Sequence, residues 1–250
     1  MRLKYGGVVV EKETPDGCPQ GAVFSPMLFK FVQELVIDAF AEYNRQLSQS
    51  FVDGGSKENF PICDNKLVNF ADDSTVVFGG GASFGKDFQS RREAKKQLSR
   101  CASDFLVWFV KYCKDLHLTF SVKKTTCMFF WEVGERPENI PVKIDCPDLG
   151  EFHGLELKTL HEDPVRLSYD PVRLLGIYLD PFLSFEAHID KLVKKCDVGI
   201  NMMRALAGSG WGMRGKLLKI VFNGLIESVL FYGLEVWGHA AMRKRNLSKF

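Results

Sequence analysis

The chain has 250 residues, 46% apolar and 26% charged, which are the proportions of a folded protein and not of a disordered one. Its formal net charge is only +2, so charge alone does not indicate a nucleic-acid-binding protein. The sequence contains no run of the roughly 20 apolar residues that span a membrane, and no signal peptide. Seven scattered cysteines favour free thiols. We therefore expect an intracellular protein, nuclear or cytoplasmic, that makes no contact with a membrane.

The first predicted elements are a short strand and a long helix. Val8–Val10 reads as the strand, and a Gly-rich loop follows over Gly17–Gly21. Ser25 and Pro26 then provide the N-cap and the first helical residue. Apolar residues continue at helical spacing and predict a buried stripe. They are Leu28, Phe31, Val32, Leu35, Val36, Phe40, Tyr43 and Leu47.

Two adjacent aspartates, Asp72 and Asp73, lie inside the segment Leu67–Phe78, between β-branched and aromatic residues. This pattern predicts a strand, a tight turn and a second strand, with the acids at the tip. Two neighbouring carboxylates repel each other, and a bound cation would explain the pair. Hard oxygen ligands favour magnesium, which suggests phosphate chemistry. The alternative is a plain turn, and a lone Asp-Asp pair would favour that interpretation.

The rest of the chain alternates between helix and strand patterns. An aromatic stripe marks the inner face of a long helix from about Asp87 to Leu116. Thr125–Trp131 and Arg173–Leu179 are predicted strands on either side of a polar, Pro-rich segment. Two amphipathic helices, near 185–207 and 214–237, come last. Helices that follow strands in this way predict an α+β fold.

Three blocks of the sequence, in their order, resemble the reverse transcriptase domain of non-LTR (LINE-type) retrotransposons. Gly17–Phe29 resembles the family's Pro-Gln-Gly block, with Ala22 where Ser is usual. Phe70–Asp73 resembles the catalytic hairpin, and Val172–Asp180 resembles a later Leu-Gly block. Between them, Ser121–Thr125 resembles an Asn-x-x-Lys-Thr stretch, with Ser in place of Asn.

The resemblance implies a fold and an activity. Residues 1–180 would form a partial polymerase palm, an antiparallel sheet with packed helices, and residues 181–250 a helical, thumb-like region. The implied activity is that of an RNA-directed DNA polymerase, which joins nucleotides by two-metal nucleotidyl transfer. The implied partners are an RNA template, a DNA primer and a deoxynucleoside triphosphate. The implied cofactor is a pair of magnesium ions, with manganese as an alternative.

The resemblance also assigns roles to individual residues. Asp72 and Asp73 would hold the metal, and Lys124 would stabilise charge near the triphosphate, although Lys124 reads equally well as a surface lysine. Leu175, Gly176 and Ile177 would form the turn that holds the primer end; the alternative is a buried strand with a Gly bulge. The residues expected to contact the nucleotide or the template are Gly17, Pro19, Gln20, Gly21, Phe70 and Ala71.

One departure from the family pattern concerns its first catalytic aspartate, which lies on a strand upstream of the Pro-Gln-Gly block. Only sixteen residues precede Gly17, and Asp16 reads as a turn residue. We therefore expect the back part of a palm plus a thumb, truncated and inactive by itself, with an exposed sheet edge that promotes self-association. The alternatives are a catalytically dead nucleic-acid-binding remnant and an unrelated α+β protein with accidental motifs.

Overall fold

The computed structural model describes residues 2–5, 8–11, 23–53, 64–71, 73–79, 88–132, 135, 137, 140–158, 162–163, 168–207, 212–243, 246 and 248–249. The chain divides into two compact units. Unit 1 comprises residues 1–125 and 140–157, and unit 2 comprises residues 126–139 and 158–250. Both units combine helices with two-stranded antiparallel sheets, which agrees with the predicted α+β class.

Unit 1 contains two long helices, three small hairpins and a short 3-10 turn at Pro147–Phe152. Both helices and the central hairpin lie close to their predicted positions. In chain order the helices and strands are β1 (Arg2–Tyr5), β2 (Val8–Glu11), α1 (Ser25–Asp53), β3 (Asp64–Phe70), β4 (Asp73–Gly79), α2 (Phe88–Asp115), β5 (Lys143–Ile144) and β6 (Leu155–Glu156).

Phe105, on the inner face of α2, is the centre of the unit 1 core. It is 3% exposed and makes edge-on contacts with Phe40 of α1 and Phe78 of β4, each with ring centroids 5.6 Å apart. Tyr43 of α1 stacks on Trp108 of α2 at 4.7 Å. The predicted aromatic face of this helix is confirmed, and it holds α1 and the β3–β4 hairpin against α2.

The buried stripe predicted along the whole of α1 is only partly correct. Val36 and Phe40 are buried, but Leu28, Phe31 and Leu35 are 50%, 57% and 51% exposed. The ring contacts of α1 with α2 begin at Phe40. Helical periodicity identifies an apolar face, but it does not determine how far along the helix another element covers that face.

Unit 2 contains two small hairpins followed by a group of helices, and it differs from the prediction in two places. The predicted strand Thr125–Trp131 forms only an isolated bridge between Thr126 and Lys158. The predicted strand Arg173–Leu179 is a hairpin with its turn at Leu175–Gly176. The elements are β7 (Glu162–Asp163), β8 (Ser168–Tyr169), β9 (Val172–Leu174), β10 (Ile177–Leu179), α3 (Glu186–Leu206), α4 (Gly215–Phe222), a π-helical stretch (Asn223–Glu227), α5 (Ser228–Phe231) and α6 (Leu234–Ala241).

The core of unit 2 forms where α3 meets α6 and strand β10. Its buried residues are apolar, and the partly buried Ile177 and Leu179 of β10 pack against them. This core therefore fixes the β9–β10 hairpin to the helices. The buried residues are Phe185, Ile189, Leu192, Trp237 and Ala240.

Asp180 organises the connection from β10 to α3. Its carboxylate accepts hydrogen bonds from the backbone N–H groups of Phe182 (3.0 Å), Ser184 (3.0 Å) and Phe185 (2.7 Å). It also accepts one from the Ser184 hydroxyl (3.1 Å). Leu183 and Phe185 have left-handed φ values of 50° and 58°, so the connection is strained without these bonds.

His188 of α3 is buried beside the same core. Its Nδ1 accepts a hydrogen bond from the backbone N–H of Tyr178 at 3.4 Å, and its ring meets the Trp237 ring edge-on at 5.3 Å. Burial, and secondarily the nearby charge of Lys195, lower the pKa of His188 below its ordinary value. The imidazole is therefore held in its neutral form.

No single helix among the described residues has the length and apolar character of a membrane span. Only the segments Gly215–Phe231 and Leu234–Ala241, bent by 81° relative to each other, meet that criterion when taken together.

We expect Asp180→Asn to destabilise the protein. The asparagine amide keeps one acceptor oxygen, but its NH2 group replaces the other and faces N–H and O–H donors that then lose their acceptor. The free energy of unfolding should therefore fall by about 1–3 kcal/mol. Urea unfolding followed by tryptophan fluorescence measures the change. Asp170→Asn, at an exposed position before β9, is the matched control. Equal stabilities for the two variants would contradict the role assigned to Asp180.

A second expectation concerns pH. Because the pKa of His188 is lower in the folded chain than the 6.5 of a free histidine, the unfolded state binds more protons below that value. The stability contributed by neutral His188 is complete above pH 6.5 and decreases as pH falls toward the folded-state pKa. Urea unfolding at several pH values should show this loss, and His188→Asn should reduce it. A pH dependence that is identical in both proteins would contradict the assignment.

Candidate functional site

The β3–β4 hairpin has the geometry that the sequence predicts around its two aspartates. Seven residue pairs run from Asp64–Gly79 to Phe70–Asp73, and Ala71 follows the last paired residue of β3. Ala71 has φ 52°, the left-handed value that the first central residue of a tight hairpin turn requires. Asp72 itself lies outside the described residues. The adjoining Asp73 is exposed at the start of β4.

Side chains of α1 form hydrogen bonds with both ends of this hairpin. Gln33 Nε2 donates a hydrogen bond to the carbonyl oxygen of Ala71 at the tip. Near the other end, Asn65 Nδ2 donates to Asn44 Oδ1 at 3.1 Å. The tip is therefore held by a helix that is itself packed on the Phe105 core, and the turn does not depend on its own residues alone.

The two faces of the hairpin have different environments. Asn65, Leu67 and Asn69 alternate inward, and the Asn69 Oδ1 atom is buried with no hydrogen-bond partner among the described residues. Val68 and Phe70 alternate outward and are 56% and 63% exposed. The tip therefore presents an aromatic side chain and a carboxylate to its surroundings.

The donor chemistry of this tip fits a hard cation. The carboxylate of Asp73 supplies the oxygen ligands that magnesium prefers. Within the described residues no three His, Cys, Asp or Glu side chains converge as a ligand set. Asp72, the other predicted ligand, is not among those residues. A metal centre at this tip would need further ligands in addition to Asp73.

Lys124, the other predicted catalytic residue of unit 1, lies on a single helical turn after α2. The backbone N–H and the hydroxyl of Thr125 donate to the Ser121 carbonyl at 3.1 and 2.8 Å, and these bonds close the turn. The Lys124 side chain is exposed. The four predicted residues of the Pro-Gln-Gly block, which are Gly17, Pro19, Gln20 and Gly21, lie outside the described residues.

The three predicted primer-contact residues meet in unit 2, at the β9–β10 hairpin. Leu174 pairs with Ile177, so Leu175 and Gly176 form a two-residue turn with φ values of 46° and 91°. Sequence reasoning missed Tyr232, whose hydroxyl donates to the Leu175 carbonyl at 2.6 Å. It also missed Gln33 in unit 1. Neither carries a local sequence signal, because each acts on a turn that is distant along the chain.

Comparison with known proteins finds related sequences, although no protein-family model and no solved structure matches the chain. The Pol polyprotein of the type-1 retrotransposable element R1 of Bradysia coprophila is 25% identical over 92% of this chain. An R1 element Pol polyprotein of Nasonia vitripennis is 24% identical over 61% of it. A probable RNA-directed DNA polymerase from transposon BS of Drosophila melanogaster is 21% identical over 92%.

The chain spans only part of each of these relatives. It covers 18%, 36% and 20% of their respective lengths. A further R1 polyprotein of Nasonia vitripennis, 21% identical, is covered to 52%. The resemblance predicted from the motifs is confirmed, because the chain is similar to a region of retrotransposon Pol polyproteins and to a probable RNA-directed DNA polymerase from a transposon.

Proposed function

We propose that this chain is part of an RNA-directed DNA polymerase and contributes the catalytic hairpin and the primer-contact turn. The observation that carries the proposal is the β3–β4 tip, where the pairing of Phe70 with Asp73 places the exposed Asp73 at the end of the hairpin. The related Pol polyproteins support it. Because the chain spans less than two thirds of these relatives, the full activity is assigned to a longer polypeptide.

The proposed palm comprises residues 1–180, and the proposed thumb comprises residues 181–250. The β3–β4 hairpin packed on α1 and α2 supports a palm, since a polymerase palm is a sheet covered by helices. The helices from α3 to α6 support a thumb. An intracellular location follows from the proposal, because the RNA template and the DNA primer are found there.

The proposed reaction is the attack of a primer 3′-hydroxyl on the α-phosphate of a deoxynucleoside triphosphate. The bond between the 3′-oxygen and phosphorus forms, the bond to the pyrophosphate oxygen breaks, and the hydroxyl proton is released. When bound, magnesium or manganese supplies charge neutralisation and a lower pKa for the attacking hydroxyl. Asp72 and Asp73 would hold the metal. Two ions require a further carboxylate, which the resemblance places on a strand upstream of the Pro-Gln-Gly block.

The remaining proposed residues bind and orient the reactants. Lys124 offers a mobile positive charge to the leaving pyrophosphate. Phe70 presents an exposed ring at the hairpin tip, suited to stacking on a base or sugar. Leu175–Ile177 would contact the primer end. The nucleotide and template would also meet the Pro-Gln-Gly block, which comprises Gly17, Pro19, Gln20 and Gly21, and Ala71 of the hairpin turn.

This function predicts a metal-dependent response to nucleotide. We expect the full chain to bind a labelled RNA–DNA hybrid with a recessed DNA 3′ end, measured by fluorescence anisotropy. Magnesium together with the complementary deoxynucleoside triphosphate should tighten binding by about tenfold, the effect of one charge-assisted contact. Asp72→Ala and Asp73→Ala should each remove this gain and leave metal-free binding unchanged.

The matched control for that experiment is Asp38→Ala, which removes an exposed aspartate from α1 of the same unit. This variant should retain the full gain. Hybrid binding without any response to metal and nucleotide would instead support the catalytically dead remnant. Absence of hybrid binding would overturn both functions and favour an unrelated α+β protein.

We also propose that the chain self-associates through the edge of the β3–β4 hairpin. Within the described residues these strands pair only with each other, so each has one unpaired edge. Light scattering should give a mass above the 28.3 kDa of one chain. Val68→Lys, on the exposed face, should lower that mass, and Ile37→Lys, at an exposed position of α1, should not. A 28.3 kDa species for the unmodified chain would contradict this proposal.

A further inference from the structure

The β9–β10 turn has a backbone conformation that Leu175 disfavours. Both Leu175 and Gly176 have left-handed φ values, which suit a tight hairpin and are unstrained for glycine but unfavourable for leucine. The Leu175 side chain is 40% exposed, so it gains little from burial at this position. A strained, exposed turn of this kind persists only when other groups hold it in place.

The corner between α5 and α6 supplies those groups. The Tyr232 hydroxyl donates to the carbonyl oxygen of Leu175 at 2.6 Å. The ring of Tyr232 lies against Gly176, where a Cβ atom would approach its Cε1 atom to 3.2 Å. The turn and the corner are therefore joined by a hydrogen bond and by a close contact between ring and backbone.

Gly233 makes this approach possible from the helical side. It has φ 64°, and a Cβ atom there would come within 2.6 Å of the Ile177 side chain. A residue other than glycine would be strained at this φ, and its Cβ atom would displace the end of the Ile177 side chain. Gly176 therefore lies against Tyr232, the residue before Gly233, and Gly233 lies against Ile177, the residue after Gly176.

The corner itself is anchored in the core. Trp237 is 1% exposed, and its Nε1–H donates to the carbonyl oxygen of Tyr232 at 2.9 Å. The position of the Tyr232 hydroxyl is therefore fixed by the packing of α6 against α3. An exposed turn that is held against a rigid core is pre-organised to contact a ligand at low entropic cost.

We propose that Tyr232 is a positioning residue for the primer terminus, acting through the Leu175–Gly176 turn. This inference rests on the proposed function, which assigns primer contact to that turn. The hydroxyl holds the Leu175 carbonyl and thereby orients the exposed side chain and backbone N–H groups of the turn. Backbone N–H groups are common contacts to nucleic-acid phosphates, and they fix register without reading sequence.

The test compares two hybrids in the full chain: one with a recessed DNA 3′ end and one with blunt ends. Tyr232→Phe keeps the ring and removes only the hydroxyl. It should weaken binding of the recessed hybrid by about fivefold, the effect of losing one hydrogen bond, and leave binding of the blunt hybrid unchanged. A merely structural role would weaken both equally.

The matched control is Tyr112→Phe in unit 1, which also removes a hydroxyl that donates to a backbone carbonyl, that of Leu35 at 3.1 Å. It should not alter the preference for the recessed hybrid. If the unmodified chain prefers the recessed hybrid and Tyr232→Phe retains that preference, only the positioning role is overturned. If the unmodified chain shows no preference, primer contact and the positioning role both fail.

Discussion

Both candidate contact turns depend on the same physical interaction: a side chain that is distant along the chain donates a hydrogen bond to the carbonyl of a left-handed residue. In unit 1, Gln33 donates to Ala71, and in unit 2, Tyr232 donates to Leu175. Neither Ala71 nor Leu175 is glycine, so each turn carries a conformational cost. The hydrogen bond offsets part of that cost and helps to fix the groups at the tip of each hairpin.

Gln33 and Tyr232 can hold these carbonyl groups because aromatic packing fixes the helix that carries Gln33 and the helix that follows Tyr232. Helix α1 is held against α2 by the contact of Phe40 with Phe105, and the start of α6 is held by buried Trp237. Large aromatic side chains contribute much of the buried apolar area of a small core. In each unit a rigid core therefore determines the position of a helix, and that helix determines the position of an exposed turn. The position of each hairpin tip is therefore determined by packing in a core that is distant from the tip.

The sequence predicts the features that depend on residues close together in the chain, and it misses those that depend on distant residues. The β-branched and aromatic residues on both sides of Asp72 and Asp73 predict the β3–β4 hairpin, because strand propensity and tight turns are local properties. The residue pattern predicts one strand over Arg173–Leu179 and misses the β9–β10 turn, since Leu175 is a poor residue for a left-handed turn, whereas the family resemblance implies a turn there. The burial of α1 is predicted correctly at Phe40 and wrongly at Phe31, because burial depends on elements that are distant in sequence.

The motif aspartates differ in whether their lone pairs are available. An ionised carboxylate has about four acceptor sites. Asp180 accepts four hydrogen bonds from the Phe182–Phe185 segment, so its sites are occupied by the connection that it organises. Asp73 is exposed at a hairpin tip, where its oxygens face outward from the core. An aspartate in a motif can therefore serve the fold or the chemistry, and the hydrogen bonds it accepts distinguish the two. By that criterion Asp180 is structural, and Asp73 remains the candidate for binding a cation.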